Sequence, residues 1–539
     1  MKQKRLAYLM FAAVLCLTVA LSGCSKSNSA NGTKAPAEAN TPTASDTPSA
    51  SNDAEDTASN NVGSDPVTLK IVVPGTKEAN YEPIKQAVEK KLAADGQNTK
   101  IDFIYVDWSD LEQKTKVMLA SGENIDLIFD APWLHMNQMI AAGYYEDLSD
   151  LLNKFGSNVL KNRSQQMWDA NTFNGKTMGI PLGIYLTQGH SINIRKDLRE
   201  ELGLPPVKTW DDVVKFAYAV KEKYPKITPY WPHPSDITYS VVNWQVRDDS
   251  ELQMRPTGVI GADLVLNYKG NDGKVFNLFD EMEPKVWDMI IQARKMYTDK
   301  IINQDTLTTK LATGDALQQG KAAAAPIMLF GLTHTKDQMS QAGENAEVES
   351  VRLFDFTPGK NISNFAQDNF VAIPKASKNK ERAMMFLDWA NANEENYMLV
   401  EHGIEGTDWE KVGDKKFKQL VPGKDVNGGG LASFSLVWNP VLEKTIDTDD
   451  DETMKANDFI KVADNFTKDI LTGFTFDSAP VKNEIAQYGT VQAKYYMGIF
   501  NGVLDPDKYW DKYKKEGSAP LKKIQTELQK QIDAFLASK

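Results

Sequence analysis

Few residues in this chain are spaced for covalent chemistry. It has two cysteines, Cys16 and Cys24, and five histidines, His135, His190, His233, His334 and His402. No two histidines stand four apart, the spacing that puts two imidazoles on one helix face for a metal. There is no G-x-S-x-G elbow, no H-E-x-x-H and no phosphate-cradling G-x-x-x-x-G-K-(S/T) loop. The acidic run Asp447-Thr448-Asp449-Asp450-Asp451-Glu452 has the oxygen content a hard cation needs. Counted as a Ca²⁺ loop, however, its sixth position is Glu452 instead of glycine and its twelfth is Asp458 instead of glutamate, so it reads as a solvated loop. No catalytic residue, metal or cofactor is expected.

One cysteine is placed for modification. Lys2, Lys4 and Arg5 precede an apolar run over 6–20, and Leu21-Ser22-Gly23 leads into Cys24. The run is too short to span ~30 Å of hydrocarbon but suits a cleaved signal. The site resembles the bacterial lipoprotein signal. That implies removal of 1–23, lipidation of Cys24 and attachment to the outer face of a Gram-positive cell membrane. The mature chain then holds no free thiol, which excludes thiol catalysis and cysteine-ligated metal. Residues 25–65 contain one valine and no aromatic, Leu, Ile or Met. They cannot bury enough to offset ordering, so 24–65 reads as a flexible tether.

The formal charge is −12 over 539 residues. An acidic chain is a poor partner for phosphate backbones, so nucleic acid is not expected. The body exceeds one ordinary core, which predicts at least two lobes. No internal repeat is visible.

The elements along the body alternate. A β-branched run at 67–73 ends at Pro74-Gly75. Helical spacing follows over 81–94, a second strand over 101–106, a helix over 111–120 and a third strand over 125–129. Strand-helix alternation predicts a parallel sheet covered on both faces. Ligands bind beyond the carboxyl ends of such strands. Those ends carry Thr76, then Asp107 and Trp108, then Asp130 and Trp133.

Three stretches then carry a family resemblance: IDLIFDAPW…AAGYYEDLSDLL over 125–152, GKTMGIPLGIYLTQGHSINIRKDLREELGLPPVKTWDDVVKFAYAVKEKYP over 175–225, and DNFVAIPKASKNKERAMMFLDWANANEEN over 368–396. Together they resemble the extracellular solute-binding proteins of sugar-importing ABC transporters. The tail near 400–406, 473–481 and 518–537 resembles a C-terminal domain of large Gram-positive members. The resemblance implies an α/β, two-lobed periplasmic-binding-protein-like fold with parallel-sheet lobes. Hinge segments would cross near 183–190 and 364–370, and a ligand would lie in the cleft between lobes. The first lobe is expected over 66–186 with a return at 367–400, and the second over 187–366 with its completion and a C-terminal helical segment in 401–539.

The implied ligand is an oligosaccharide, and the implied partners are ABC permease subunits, with the chain itself a monomer. A sugar has apolar C–H faces and a rim of hydroxyls, which aromatic plates and planar polar groups can hold. Expected ligand contacts are Trp133, Tyr185 at the hinge, Asp130, Asp107, Trp108, Trp231, Trp244, Asp368, Asn369, Trp438 and Thr76. Trp210, Trp287, Trp389 and Trp510 read as packing residues. Two other readings stay open: a ligand-sensing accessory lipoprotein, and a surface glycoside hydrolase. The last needs two carboxyls about 5–5.5 or 6.5–9.5 Å apart across a cleft.

Overall fold

The computed structural model describes residues 64–108, 110–132, 134–183, 190–232, 240–248, 252, 254–257, 259, 264–267, 270–328, 339–343, 345–353, 355–363, 369–421, 430–432, 435–449 and 451–539. In chain order the elements that position the site begin with β1 (Val67–Pro74), α1 (Tyr81–Ala94), β2 (Thr99–Val106), α2 (Leu111–Ala120), β3 (Leu127–Asp130) and β4 (Ile180–Pro181). They continue with β5 (His190–Arg195), β6 (Ala324–Met328), β7 (Val348–Arg352), β8 (Asn361–Ile362), β9 (Phe370–Ala372) and β10 (Phe466–Thr467). Two long helices close the chain, α3 (Lys482–Phe500) and α4 (Pro506–Ala537).

The first sheet has the order β2-β1-β3-β9-β4. β1 pairs in parallel with both β2 and β3, while β9 returns antiparallel between β3 and β4. Leu69, Ile71, Val72 and Val73 of β1 are fully buried, because the helix Lys380–Ala390 packs beside this strand and α1 beside its neighbour β2, in one core. Burying each such side chain contributes about 1.5–3 kcal/mol. In the second sheet β5 lies between β6 and β7 and is antiparallel to both. Parallel bridges join Thr228 to Ala322 and Tyr230 to Ile302. Ile192 and Ile194 face the second core, made with the helices Trp210–Lys223 and Pro284–Thr298 and with α3 and α4.

The two cores show where the chain crosses between lobes. Leu182 belongs to the first core and Ile192 to the second. The next change falls between Leu353, packed on the second core, and Phe356, packed on the first. Most of the crossing expected near 364–370, residues 364–368, lies outside the described residues. Phe356 meets Phe459 edge-on at 5.4 Å. A third crossing runs from Phe466 in the first core to Leu471 in the second. There β10 lies parallel to β8, and Ser363 N donates to Thr467 O at 2.8 Å.

The tail also divides differently from the expectation for 401–539. Apolar residues within 409–466, including Trp409, Phe417, Leu436 and Phe466, pack into the first core. Those from Leu471 to Ile532 pack into the second. The intervening strands are only two to four residues long, Trp409–Val412, Lys416–Gln419 and Thr445–Ile446, so they carry no periodicity that would reveal their partner. Among the described residues no helix is long and apolar enough to cross a membrane.

Candidate functional site

The topology brings several expected site residues to one edge of the first sheet. Pro74 pairs with Val106, so Thr76 and Asp107-Trp108 emerge side by side. β9 runs opposite to β3 and sets Phe370 against both Asp130 and Pro181. Asn369 and Leu182 therefore leave at the same edge, joined by a bond from Leu182 N to Asn369 O of 2.9 Å. Thr76, Asp107 and Trp108 are exposed and Asn369 is half-buried. Trp108 keeps 48 % of its surface open while its ring meets Phe129 edge-on at 6.4 Å. An indole held on one side and about half exposed is suited to lie on the apolar face of a ligand.

Trp133, Tyr185 and Asp368 lie outside the described residues. The remaining expected residues, Asp130, Trp231, Trp244 and Trp438, are buried. Asp130 is fully buried and its carboxylate is already committed. It accepts from Ala131 N at 2.7 Å, from His135 Nδ1 at 2.6 Å and from the Tyr145 hydroxyl at 2.5 Å. His135 Nε2 lies 2.6 Å from Thr115 Oγ1. Burial, then the Asp130 carboxylate, holds the Tyr145 phenol well above its ordinary range. Asp130 thus fixes the turn that follows β3 and has little capacity left for a ligand.

Three tryptophans expected at the ligand are packing residues. Trp244 is 0 % exposed in the second core. Trp231 packs with Leu317, Ala325 and Ile327, and its indole N–H donates to Leu311 O at 3.2 Å. Trp438 packs in the first core and donates to Glu443 at 2.9 Å. The tryptophans read as packing residues behave so where their contacts are defined. Trp389 is buried and donates to Asp95, and Trp210 packs on the second core and donates to Gln292.

The acidic run is not a wholly solvated loop. Asp449 is buried and its carbonyl accepts from Lys416 Nζ at 2.9 Å, while Asp451 opens the helix Asp451–Ile460. Among the described residues no group of three or more His, Cys, Asp or Glu is arranged to hold a metal.

Sequence reasoning missed Arg163. It sits in a short Lys-Asn-Arg-Ser connection with no periodic signal. Its buried guanidinium donates to Pro181 O at 3.0 Å, Val159 O at 3.2 Å, Asn391 Oδ1 at 3.2 Å and Trp438 O at 2.5 Å. It anchors β4, the strand that leads into the first crossing. Burial pulls its pKa down to about 10, so it stays charged at neutral pH.

Two α/β lobes joined, over the described residues, by three crossing segments, with exposed groups gathered at a sheet edge where a crossing departs, define a solute-binding architecture. Residues 75–397 match the model of the bacterial extracellular solute-binding proteins, and the chain belongs to that family. Residues 470–537 match a domain of unknown function, DUF3502. A carbohydrate ABC transporter substrate-binding protein of Streptococcus pneumoniae serotype 4 is 26% identical over 499 residues, covering 88% of this chain and 92% of that one. The polygalacturonan/rhamnogalacturonan-binding protein YtcQ of Bacillus subtilis is 24% identical over 332 residues, 59% of this chain and 63% of that one. Among solved structures, the N-glycan transport solute-binding protein NgtS of Streptococcus pneumoniae superposes with a TM-score of 0.70 at 21% identity, covering 88% of this chain and 99% of that one.

Proposed function

We propose that this protein captures an oligosaccharide outside the cell and delivers it to an ABC importer. The observation that carries the reading is the exposed Trp108 set beside Thr76 and Asp107, with Asn369 at the same end of the sheet three strands away. A flat ring flanked by a hydroxyl and a carboxylate, with an amide further along the same end of the sheet, matches the apolar face and hydroxyl rim of a sugar. Relatives support it: NgtS has been solved with Man5GlcNAc bound, and another pneumococcal relative is a fructooligosaccharide ABC transporter substrate-binding protein. Trp133, Tyr185 and Asp368 complete the proposed contact set.

In this reading 1–23 is a removed signal, Cys24 carries the lipid, 24–65 is the tether, and one copy docks on the permease. Lobes close on the glycan because closed-state contacts favour that state, and docking on the permease reopens them. The protein performs no reaction. The test is to delete the gene, measure uptake of labelled oligosaccharides, and incubate the purified protein with the same glycans. Lost uptake with no new reducing ends supports the proposal. Reproducible cleavage, abolished by substituting a carboxylate of the cleft, would replace it with a hydrolase.

A further inference from the structure

The segment matching a domain of unknown function has a place at the third crossing that gives it a role. From the first lobe, β8 holds β10, Ser363 holds Thr467, and Lys468 pairs with Asp169 at 2.7 Å. From the second lobe, the Asn271 amide donates to Lys468 O at 3.1 Å and accepts from Ile470 N at 3.2 Å.

Beyond that point the chain is fastened to α4 and to Lys539 just after it. Lys539 Nζ donates to Ile470 O at 2.7 Å and Thr472 O at 3.1 Å. The Gln531 amide clamps the backbone of Asp477, accepting from its N–H at 2.8 Å and donating to its carbonyl at 2.9 Å. Phe474 meets Phe535 at 5.5 Å. Leu471, Ile532 and Leu536 converge on Gly273, where an added Cβ would lie 3.0–3.4 Å from their methyl groups.

α4 is in turn fixed to the second core. Gln525 donates to Val275 O at 3.0 Å, Gln529 accepts from Val275 N at 2.8 Å, and Tyr513 packs on Phe279 at 4.7 Å. Gly473, at φ +85°, comes so near the first lobe that a Cβ would stand 3.2 Å from Asp169 O and 3.3 Å from Thr172 O. Only glycine takes that backbone readily.

We infer that α4 is a hinge brace: it locks 470–477 to the second lobe, so that bending on this crossing is confined to 467–469. A short pivot narrows the range of open states, and closure then orders fewer residues. The inference rests on the two-lobed family architecture and is independent of which solute is bound.

The test needs no ligand. In the chain from residue 24 carrying Cys24→Ser, Gln113→Cys on α2 and Glu222→Cys on the helix Trp210–Lys223 place one spin label on each lobe; both native residues are exposed. Lys539 is also exposed, so Lys539→Ala leaves the core intact. With Lys539→Ala and Gln531→Ala combined, amide exchange over 470–477 should accelerate about ten-fold or more, as for a locally freed segment. The interlobe distance distribution should broaden by about half, while exchange in β1, β2 and β3 stays unchanged. Lys539→Arg, which keeps the donors, should preserve both wild-type values. Accelerated exchange with an unchanged distribution would overturn the brace, leaving a local fastening. Unchanged exchange would overturn it outright. If the double variant loses β1–β3 protection, Lys539→Ala alone decides by the same two readouts.

Discussion

Glu401 offers a prediction whose sign and size follow from the structure. Its side chain is buried, with Oε1 accepting from Leu436 N at 3.0 Å and Val437 N at 2.8 Å. Desolvation outweighs these bonds and raises its pKa from 4.5 to about 7. In the unfolded chain the carboxyl ionises near 4.5. The folded state therefore holds a proton that the unfolded state releases as pH climbs, and stability falls in that direction. Glu401's contribution is intact below 4.5 and is lost as pH rises through 7. A shift of this size corresponds to about 3 kcal/mol in full, of which about 2–3 kcal/mol falls between pH 5 and pH 8. Glu401→Gln keeps the acceptor and removes the titration. Urea midpoints of both proteins at pH 5 and pH 8 supply the comparison, since other titrating groups cancel in the difference. The variant should match wild type within about 1 kcal/mol at pH 5 and exceed it by about 2–3 kcal/mol at pH 8. A difference that does not change with pH would refute the reasoning.

Other substitutions separate ligand contact from packing. Trp108→Ala should weaken glycan binding by about 1–3 kcal/mol and leave the unliganded unfolding midpoint nearly unchanged; calorimetric titration and a melt measure both. Trp244→Ala should instead cost about 3–5 kcal/mol of stability, seen in urea unfolding without ligand. Arg163→Ala strands Pro181 O and Trp438 O, while Asn391 Oδ1 keeps its bond from the Asn439 amide, and should destabilise by about 3–5 kcal/mol. A loss below about 1 kcal/mol in the same assay would mean that β4 is anchored by other contacts.

The first sheet was legible because its signal is local. β1, β2 and β3 are β-branched or aromatic runs bounded by Pro-Gly, Asp and Pro, and parallel pairing puts their carboxyl ends at one edge whatever else the chain does. Burial of tryptophan was not local. Trp108 and Trp244 are the same residue type near element boundaries, yet one faces solvent and the other fills the second core, a difference decided by helices far away in sequence. Asp130 misled for a similar reason. A carboxylate at a strand end suits a ligand, but His135 and Tyr145, five and fifteen residues on, consume it. The return of 409–466 to the first core is carried by strands too short to show a period, and the third crossing leaves no composition mark at 467–470.

The most direct test is a thermal-shift screen of the mature chain against oligosaccharides of differing linkage and length, with peptides as controls. A ligand at about 100 times its dissociation constant stabilises the native state by about 2.7 kcal/mol, which raises the midpoint by a measurable few degrees. The account predicts a selective rise with one glycan class, diminished by Trp108→Ala. A flat response to every glycan together with a shift on peptides would contradict it.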